Sequence, residues 1–105
     1  MNELDIITDG PTLLLSGDFD VRSTGAVRSA INDRLRAGDG DLTIDLQGVE
    51  SVDLTALKVL AAASRRAARG GRHIVLRGAT APVLRMLHLT HLIRLVDLER
   101  DHAVA

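Results

Sequence analysis

The sequence contains no cysteine and almost no aromatic residues. Without cysteine the chain has no disulfide bonds, no thiol nucleophile and no cysteine-ligated metal, which suits a reducing compartment. Phe19 is its only aromatic residue, so no tryptophan or tyrosine can stack on a base or a sugar ring. These absences argue against thiol chemistry and against recognition of nucleic acids or sugars by stacking.

The sequence also lacks an excess of charge of either sign, since 13 basic residues balance 14 acidic ones to a net charge of −1. No long block of either sign would steer the chain towards nucleic acid or anionic lipid, so we expect no nucleic-acid partner. No apolar run approaches the roughly 18 residues of a membrane span, and residues 1–10 lack the basic and apolar regions of a signal peptide. We therefore expect a cytoplasmic protein without membrane insertion.

The remaining composition is typical of one globular domain. The chain has 105 residues, of which 46% are hydrophobic and 26% charged, and it shows no linker, repeat or low-complexity segment. A chain of this length holds one core, which must consist mainly of Leu, Val, Ile and Ala. We predict a single domain over residues 1–105.

Turn residues and hydrophobic periodicity predict alternating strands and helices. A hairpin around Asp9–Pro11 opens the chain, and Asp20 is placed to cap the first helix. Helical crossovers between the later strands imply parallel pairing and an α/β fold, with a mixed sheet of four to five strands packed with about three to four helices. The predicted order is strand 4–8, strand 12–16, a helix through Val27, Ile31 and Leu35 that ends near 38–40, strand 42–46, a helix that begins around 53–55 and runs to about 69, strand 72–77, a helix from Thr80 and Pro82, and strand 94–98.

The second helix is predicted to have two distinct faces. At about 100° per residue, the apolar face comprises Leu57, Ala61, Ser64 and Ala68. Opposite them lies a basic face, with Thr55 near it, that comprises Lys58, Arg65, Arg66 and Arg69. This basic face is a secondary candidate for gripping an acidic partner or a phosphate, although such faces are usually only solvated. Gly70 and Gly71 are expected to end the helix in the left-handed conformation.

Motifs for catalysis and metal binding are weak. His88 and His91 lie three residues apart, but no acid accompanies them, and His73 and His102 fall in other elements. The residues 16–18 do not form a nucleophile elbow, and no glycine-rich phosphate loop is present. We predict no metal site, no cofactor and no enzyme activity.

One segment places hydroxyl and carboxylate side chains at a junction between a strand and a helix. It covers residues 44–78 and reads IDLQGVESVDLTALKVLAAASRRAARGGRHIVLRG. This segment resembles the centre of a STAS domain, the fold of bacterial anti-sigma factor antagonists, whose usual pattern is an aliphatic Asp-Leu-x-x-Val, then Asp-Ser-Ser/Thr-Gly-Leu, a helix and a Gly-Gly-Arg turn. The flanking LLLSGDFD and APVLRMLHLTHLIRLV resemble the first and last parts of that domain. The resemblance spans nearly the whole chain and implies a STAS-like fold.

The resemblance also implies which residues function. Thr55 takes the position of the phosphorylated serine or threonine, Asp53 that of the motif's acid, and Asp20 that of the acid after the first glycine. Leu54 and Ala56 depart from the pattern, which has a hydroxyl residue and a glycine at those positions. The implied partner-binding residues are Asp20, Asp53, Leu54, Thr55, Ala56, Lys58 and Val59.

The function implied by the resemblance is that of an anti-sigma factor antagonist. Its partner would be an anti-sigma factor with serine/threonine kinase activity, which uses its own ATP and magnesium to phosphorylate Thr55 and end the complex, and a phosphatase would reset the switch. A phosphate adds about −1.5 to −2 charges. The amides and dipole at a helix N-terminus tolerate that charge, whereas an interface that buries it beside Asp20 and Asp53 does not.

Two other interpretations stay open at this point. Asp53 and Thr55 have residue types that favour helix caps, and capping alone would explain them. If Leu54 and Ala56 prevent recognition by a kinase, the domain is an unphosphorylated STAS scaffold that binds an ABC-transporter ATPase or belongs to a larger signalling assembly. A small enzyme would need a site that we do not find in the sequence.

Overall fold

The computed structural model describes residues 3–99. The predicted order of strands and helices is confirmed, whereas the ends of the predicted domain 1–105, with His102, lie outside the described residues. The elements are β1 (Asp5–Asp9), β2 (Thr12–Phe19), a first 3-10 turn (Val21–Ser23), α1 (Thr24–Ala37), β3 (Leu42–Val52), α2 (Leu54–Arg69), β4 (Ile74–Arg77), α3 (Ala81–Leu89), a second 3-10 turn (Leu92–Leu95) and β5 (Asp97–Leu98).

The strands form one five-stranded mixed sheet in the order β1-β2-β3-β4-β5. β1 and β2 pair antiparallel as a hairpin, and Gly10 takes the left-handed conformation (φ 55°) that its turn requires. The other neighbours pair parallel, and a helix lies in each connection between them. The predicted mixed sheet with helical crossovers is therefore confirmed.

One face of the sheet and all three helices share a single hydrophobic core. The alternation typical of a half-buried strand is clear in β2, where Leu13, Leu15 and Phe19 are buried and their neighbours Leu14 and Asp18 only partly so. Helix α2 buries eight of its 16 residues on one face, and the eight residues of the other face are exposed. None of the helices within residues 3–99 has the length and hydrophobicity needed to cross a membrane.

Strands β2 and β3 run further than the sequence pattern predicts. Their parallel pairing continues past two register shifts to the pair Phe19 and Val52. It can continue because Gly48 has no side chain where it lies against Ser16 of β2. The polar residues between 47 and 51 look like a loop in the sequence, but they belong to this extension. The extension carries the ends of both strands to the same edge of the sheet.

Three other details differ from prediction. The last strand is only Asp97–Leu98, because the second 3-10 turn occupies residues 92–95. Ala68 is exposed, because the buried face of α2 is centred on Leu60 and Ala67, and Ala68 lies at its margin in the last turn. The left-handed residue after α2 is Gly71 (φ 75°) alone, since Gly70 has a φ of −92°.

Candidate functional site

The ends of β2 and β3 bring two of the implied functional residues to one edge of the sheet. Phe19 and Val52 are paired across the two strands, and an acidic residue follows each of them directly, Asp20 in one case and Asp53 in the other. The amide of Asp53 donates a hydrogen bond to the carbonyl of Phe19 at 3.3 Å. The junction between β3 and α2 is therefore joined to the turn that follows β2.

Asp53 is the N-cap of α2, as its residue type suggests. One carboxylate oxygen, Oδ1, accepts a hydrogen bond from the amide of Ala56 at 2.8 Å. The other oxygen, Oδ2, accepts from the amide of Val21 at 3.0 Å. A single side chain thus satisfies an amide of the first turn of α2 and holds the first 3-10 turn beside it.

Asp20 caps the first 3-10 turn, one turn earlier than predicted. Its Oδ1 accepts from the amide of Arg22 at 3.0 Å, and its Oδ2 accepts from Nη2 of the same arginine at 2.7 Å. The hydroxyl of Ser23 completes a capping box with the amide of Asp20. The hydrogen bonds from Arg22 lower the pKa of Asp20, and the Asp20 carboxylate in turn raises the pKa of Arg22. This carboxylate is therefore held in its ionised form beside α2.

Thr55 is the second residue of α2, and its side chain is exposed. Since Asp53 caps the helix, the Thr55 hydroxyl is not needed for that purpose. Two large apolar side chains nearby are also exposed, Leu54 at 41% and Val21 at 60%. We call Val21, Asp53, Leu54 and Thr55 together the tip surface. It combines a hydroxyl, a carboxylate and exposed apolar area, a mixture suited to contact with a protein.

Two of the implied partner-binding residues do not reach the surface. Ala56 is fully buried, and Val59 is only 7% exposed, because both face the core on the inner side of α2. Lys58 is exposed, one turn after Thr55. The side chains open to a partner are therefore those of Asp20, Asp53, Leu54, Thr55 and Lys58, and Ala56 and Val59 are corrected to core residues.

Sequence reasoning missed Val21 and Arg22, and also the hydrogen bond that Ser51 Oγ donates to Asp18 Oδ1 at 2.7 Å. A signal for Val21 exists in the sequence. It is a large apolar residue that follows Asp20 and lies outside the four-residue spacing of the core residues of α1, so exposure could have been suspected.

The described part of the chain gathers no metal site. Within residues 3–99 no group of three or more histidine, aspartate or glutamate side chains is placed to hold an ion. His88 and His91 are both exposed, and His73 lies 3.5 Å from Asp97 in an exposed pair. The candidate site is the tip surface, built on the capped N-terminus of α2.

Comparison with known proteins relates the chain to one family. The sequence model of the family described as "Mlab, STAS domain" matches residues 3–97. None of the curated proteins compared with the chain matches it. Among solved structures, an anti-sigma factor antagonist from Mycobacterium paratuberculosis has a TM-score of 0.74 and 22% identity, covering 96% of this chain and 87% of that one.

Two further structures have the same fold. An anti-sigma-factor antagonist (STAS) domain protein from Planctomyces limnophilus has a TM-score of 0.70 and 13% identity, covering 95% of this chain and 92% of that one. The Bacillus cell fate determinant SpoIIAA, in its phosphorylated form, has a TM-score of 0.62 and 11% identity, covering 96% and 95%. At these identities the structures establish the fold, and the family match over residues 3–97 shows that the chain belongs to the STAS domain family.

Proposed function

We propose that this protein is an anti-sigma factor antagonist that binds an anti-sigma factor with serine/threonine kinase activity and is switched off by phosphorylation at Thr55. The observation that carries the proposal is the exposed hydroxyl of Thr55 in the first turn of a helix whose cap is supplied by Asp53. A kinase can reach and modify that hydroxyl without unfolding α2. SpoIIAA, which shares the fold, has a phosphorylated form, and this supports a phosphoswitch on such a scaffold.

The tip surface supplies the physical basis of the switch. A partner that covers the exposed Val21 and Leu54 also covers Thr55, which follows Leu54 directly in the first turn of α2. A phosphate on Thr55 adds about −1.5 to −2 charges, beside a carboxylate that already belongs to the surface. Burying that charge unpaired costs several kcal/mol, and about 1.4 kcal/mol is a tenfold loss of affinity. Phosphorylation therefore ends the complex.

The isolated domain, in contrast, tolerates the phosphate. Amides and the helix dipole at the N-terminus of a helix stabilise a negative charge by about 0.3 to 1 kcal/mol. The unmodified domain binds the kinase and thereby releases the sigma factor. ATP and magnesium belong to the kinase, a phosphatase resets Thr55, and the domain acts in the cytoplasm as a binding module without a catalytic step or a cofactor of its own.

A second candidate is an unphosphorylated STAS scaffold that binds an ABC-transporter ATPase or belongs to a larger signalling assembly. The observation that favours it is Leu54, which is 41% exposed and stands at a position where the usual pattern has a hydroxyl residue. An exposed leucine suits a permanent apolar contact. Ala56, buried where the pattern has glycine, is the second departure.

Intact-mass spectrometry of protein recovered from its native cells, and after incubation with native lysate, ATP and magnesium, separates the two candidates. We expect a gain of about 80 Da, one phosphate group, in wild type and in Thr55→Ser, and none in Thr55→Ala. Ser51→Ala, which removes another exposed hydroxyl near the same edge of the sheet, should keep the gain. If wild type gains no phosphate under any growth condition, the phosphoswitch is wrong and the scaffold is the better function.

A further inference from the structure

The charged residues on the exposed face of α2 are all positive. The helix contains four basic residues and no acidic one. All four are exposed, and among residues 3–99 no salt bridge involves any of them. They are Lys58, Arg65, Arg66 and Arg69.

These four cations share their side of the helix with Thr55. At about 100° per residue, Thr55 and the four basic residues fall within an arc of about 100°. From Thr55 to Arg69 the strip runs about 21 Å at about 1.5 Å per residue. We call this set, Lys58, Arg65, Arg66 and Arg69, the cationic strip. It extends the tip surface along α2 into a continuous exposed area.

No acid within residues 3–99 forms a salt bridge with this strip, although the chain has more acidic than basic residues. The net charge is −1, and elsewhere arginines do pair with acids, as Arg36 does with Asp33 at 3.2 Å and Arg77 with Asp45 at 3.0 Å. Like charges one turn apart, such as Arg65 and Arg69, destabilise a helix by about 0.2 to 0.5 kcal/mol per pair. The strip therefore keeps an unfavourable internal repulsion that an external negative surface would relieve.

We propose that the cationic strip docks against an acidic surface of the partner protein. This inference rests on the proposed function, because the partner is the anti-sigma kinase that also covers Thr55. Two observations select this occupant: the single sign of charge along the strip, and its continuity with the site that the same partner modifies. Opposite charges across an interface accelerate association and fix the orientation of the two proteins.

Docking of this kind gives the phosphate a second effect. Thr55 and Lys58 are three residues apart on one helix face, which places their Cβ atoms about 5 to 6 Å apart. A phosphate on Thr55 thus cancels positive charge at the end of the strip and faces the acidic surface of the partner with a charge of the same sign. Release is then partly electrostatic. The loss of affinity on phosphorylation therefore becomes smaller as salt screens the charges, over a Debye length of about 8 Å at physiological ionic strength.

The test measures association rates between the protein and the kinase purified from native lysate by its action on Thr55. The variant Arg65→Glu/Arg69→Glu reverses two charges of the strip. The control Arg36→Glu/Arg85→Glu makes the same change in net charge on α1 and α3, at residues that are also exposed. We expect the strip variant to associate at least about tenfold more slowly than wild type at low salt and to lose most of the salt dependence. The control should stay within about threefold of wild type.

Cross-linking gives a second measurement that does not require phosphorylation. Lys58 is the only lysine in the chain, so a carbodiimide, which joins an amine directly to a carboxylate, reports what faces this position. We expect Lys58 to couple to an aspartate or glutamate of an identified partner protein. Lys58→Arg keeps the charge but should abolish that product.

The outcomes separate the inference from the proposed function. If the kinase modifies Thr55 but both double variants associate equally fast, the cationic strip is not its docking surface and the proposed function stands. If wild type is never phosphorylated, the proposed function fails, whereas a Lys58 cross-link to an acidic surface of another identified protein still supports an acidic partner. If the strip variant instead loses binding to phosphatidylglycerol vesicles and no Lys58 cross-link to a protein forms, the strip serves a membrane and the inference is wrong.

Discussion

Asp53 and Val21 are 32 positions apart in the chain and are joined by a hydrogen bond of 3.0 Å from the Val21 amide to the Asp53 carboxylate. The same carboxylate caps α2 through Ala56. The start of α2, and with it Thr55, is therefore fixed relative to the turn that follows β2. This link holds Val21, in the first 3-10 turn, beside Leu54 and Thr55 at the start of α2, so that the two elements present one surface.

Replacing Asp53 should destabilise the fold through both hydrogen bonds. Loss of an N-cap costs about 0.5 to 2 kcal/mol, and a second hydrogen bond about 1 kcal/mol. We expect Asp53→Ala to lower the free energy of unfolding by about 1 to 3 kcal/mol, measured by urea denaturation. Asp53→Asn retains only one acceptor oxygen, so its free energy of unfolding should lie between those of wild type and Asp53→Ala.

Asp39→Ala is the matched control, because Asp39 is exposed in the loop after α1. It should change the free energy of unfolding by less than about 0.5 kcal/mol. Equal stability of Asp53→Ala and wild type would show that the two hydrogen bonds are replaced by water at no cost, and the rigid link between the two turns would have to be abandoned.

Removing Arg22 should raise the pKa of Asp20, because hydrogen bonds from Arg22 are the main cause of its lowered value. A carboxyl whose pKa is lower in the folded state stabilises the protein above its unfolded pKa, and the stabilisation is lost as the pH falls through the folded pKa. Arg22→Ala should thus be less stable than wild type at neutral pH, and the difference should shrink in acid.

A carbon-detected NMR titration of the Asp20 carboxyl measures this directly in wild type and Arg22→Ala. Arg36→Ala removes an exposed arginine that pairs with Asp33 on α1, and it should leave the Asp20 titration where it is in wild type. An Asp20 pKa that does not rise in Arg22→Ala would show that the pair seen in the structure does not persist in solution.

A negative charge at Thr55 should separate stability from binding. Because the N-terminus of a helix stabilises an acid by about 0.3 to 1 kcal/mol, Thr55→Glu should be as stable as wild type or slightly more so in thermal unfolding. Its affinity for the partner kinase should fall more than tenfold, because the interface would bury an unpaired charge. Isothermal titration calorimetry measures the affinity.

Two controls accompany Thr55→Glu. Thr55→Gln has a similar size without the charge and should keep most of the affinity. Ser29→Glu adds the same charge at an exposed position of α1 and should bind like wild type. If Thr55→Glu binds as tightly as Thr55→Gln, charge at this position does not control the complex.

Much of this architecture is visible in the sequence, because hydrophobic periods of about two and about 3.6 residues distinguish strands from helices. The strand-to-helix junction at Asp53 is also predictable, since an acid before an amphipathic helix is a typical N-cap. What the pattern does not show is orientation. Ala56 and Val59 are buried because α2 is rotated so that Leu60 faces the core, and that rotation is set by packing against neighbouring elements.

The length of β3 is the other feature that sequence periodicity does not reveal. Residues 47–51 are mostly polar and include a glycine, which by local propensity indicates a loop. In the structure they pair with β2 across register shifts, and this pairing exists only because both strands are present. The position of the tip surface depends on it, since Asp53 follows the extension.

Gly48 is the residue on which this extension depends, and its substitution gives a sharp test. A Cβ at position 48 would lie 2.7 Å from the Cβ of Ser16 and 3.2 Å from the carbonyl oxygen of Leu15, so one of the two strands would have to move. We expect Gly48→Ala to lower the free energy of unfolding by about 1 to 3 kcal/mol. Gly38→Ala, where nothing lies within 4 Å, should leave stability unchanged or raise it by up to about 1 kcal/mol.

A second substitution identifies the cause of the loss. Ser16→Gly removes the nearest obstructing atom. In the Ser16→Gly background, Gly48→Ala should therefore lower the free energy of unfolding by less than it does in wild type. Recovery will be partial, because the Leu15 carbonyl oxygen remains. Additive losses in urea denaturation would mean that the Ser16 Cβ is not the cause of the loss in Gly48→Ala. Since Asp53 follows β3 directly, Gly48→Ala should also lower the affinity for the partner kinase, although Gly48 lies outside the tip surface. Unchanged affinity in Gly48→Ala would show that the tip surface is positioned by α2 alone.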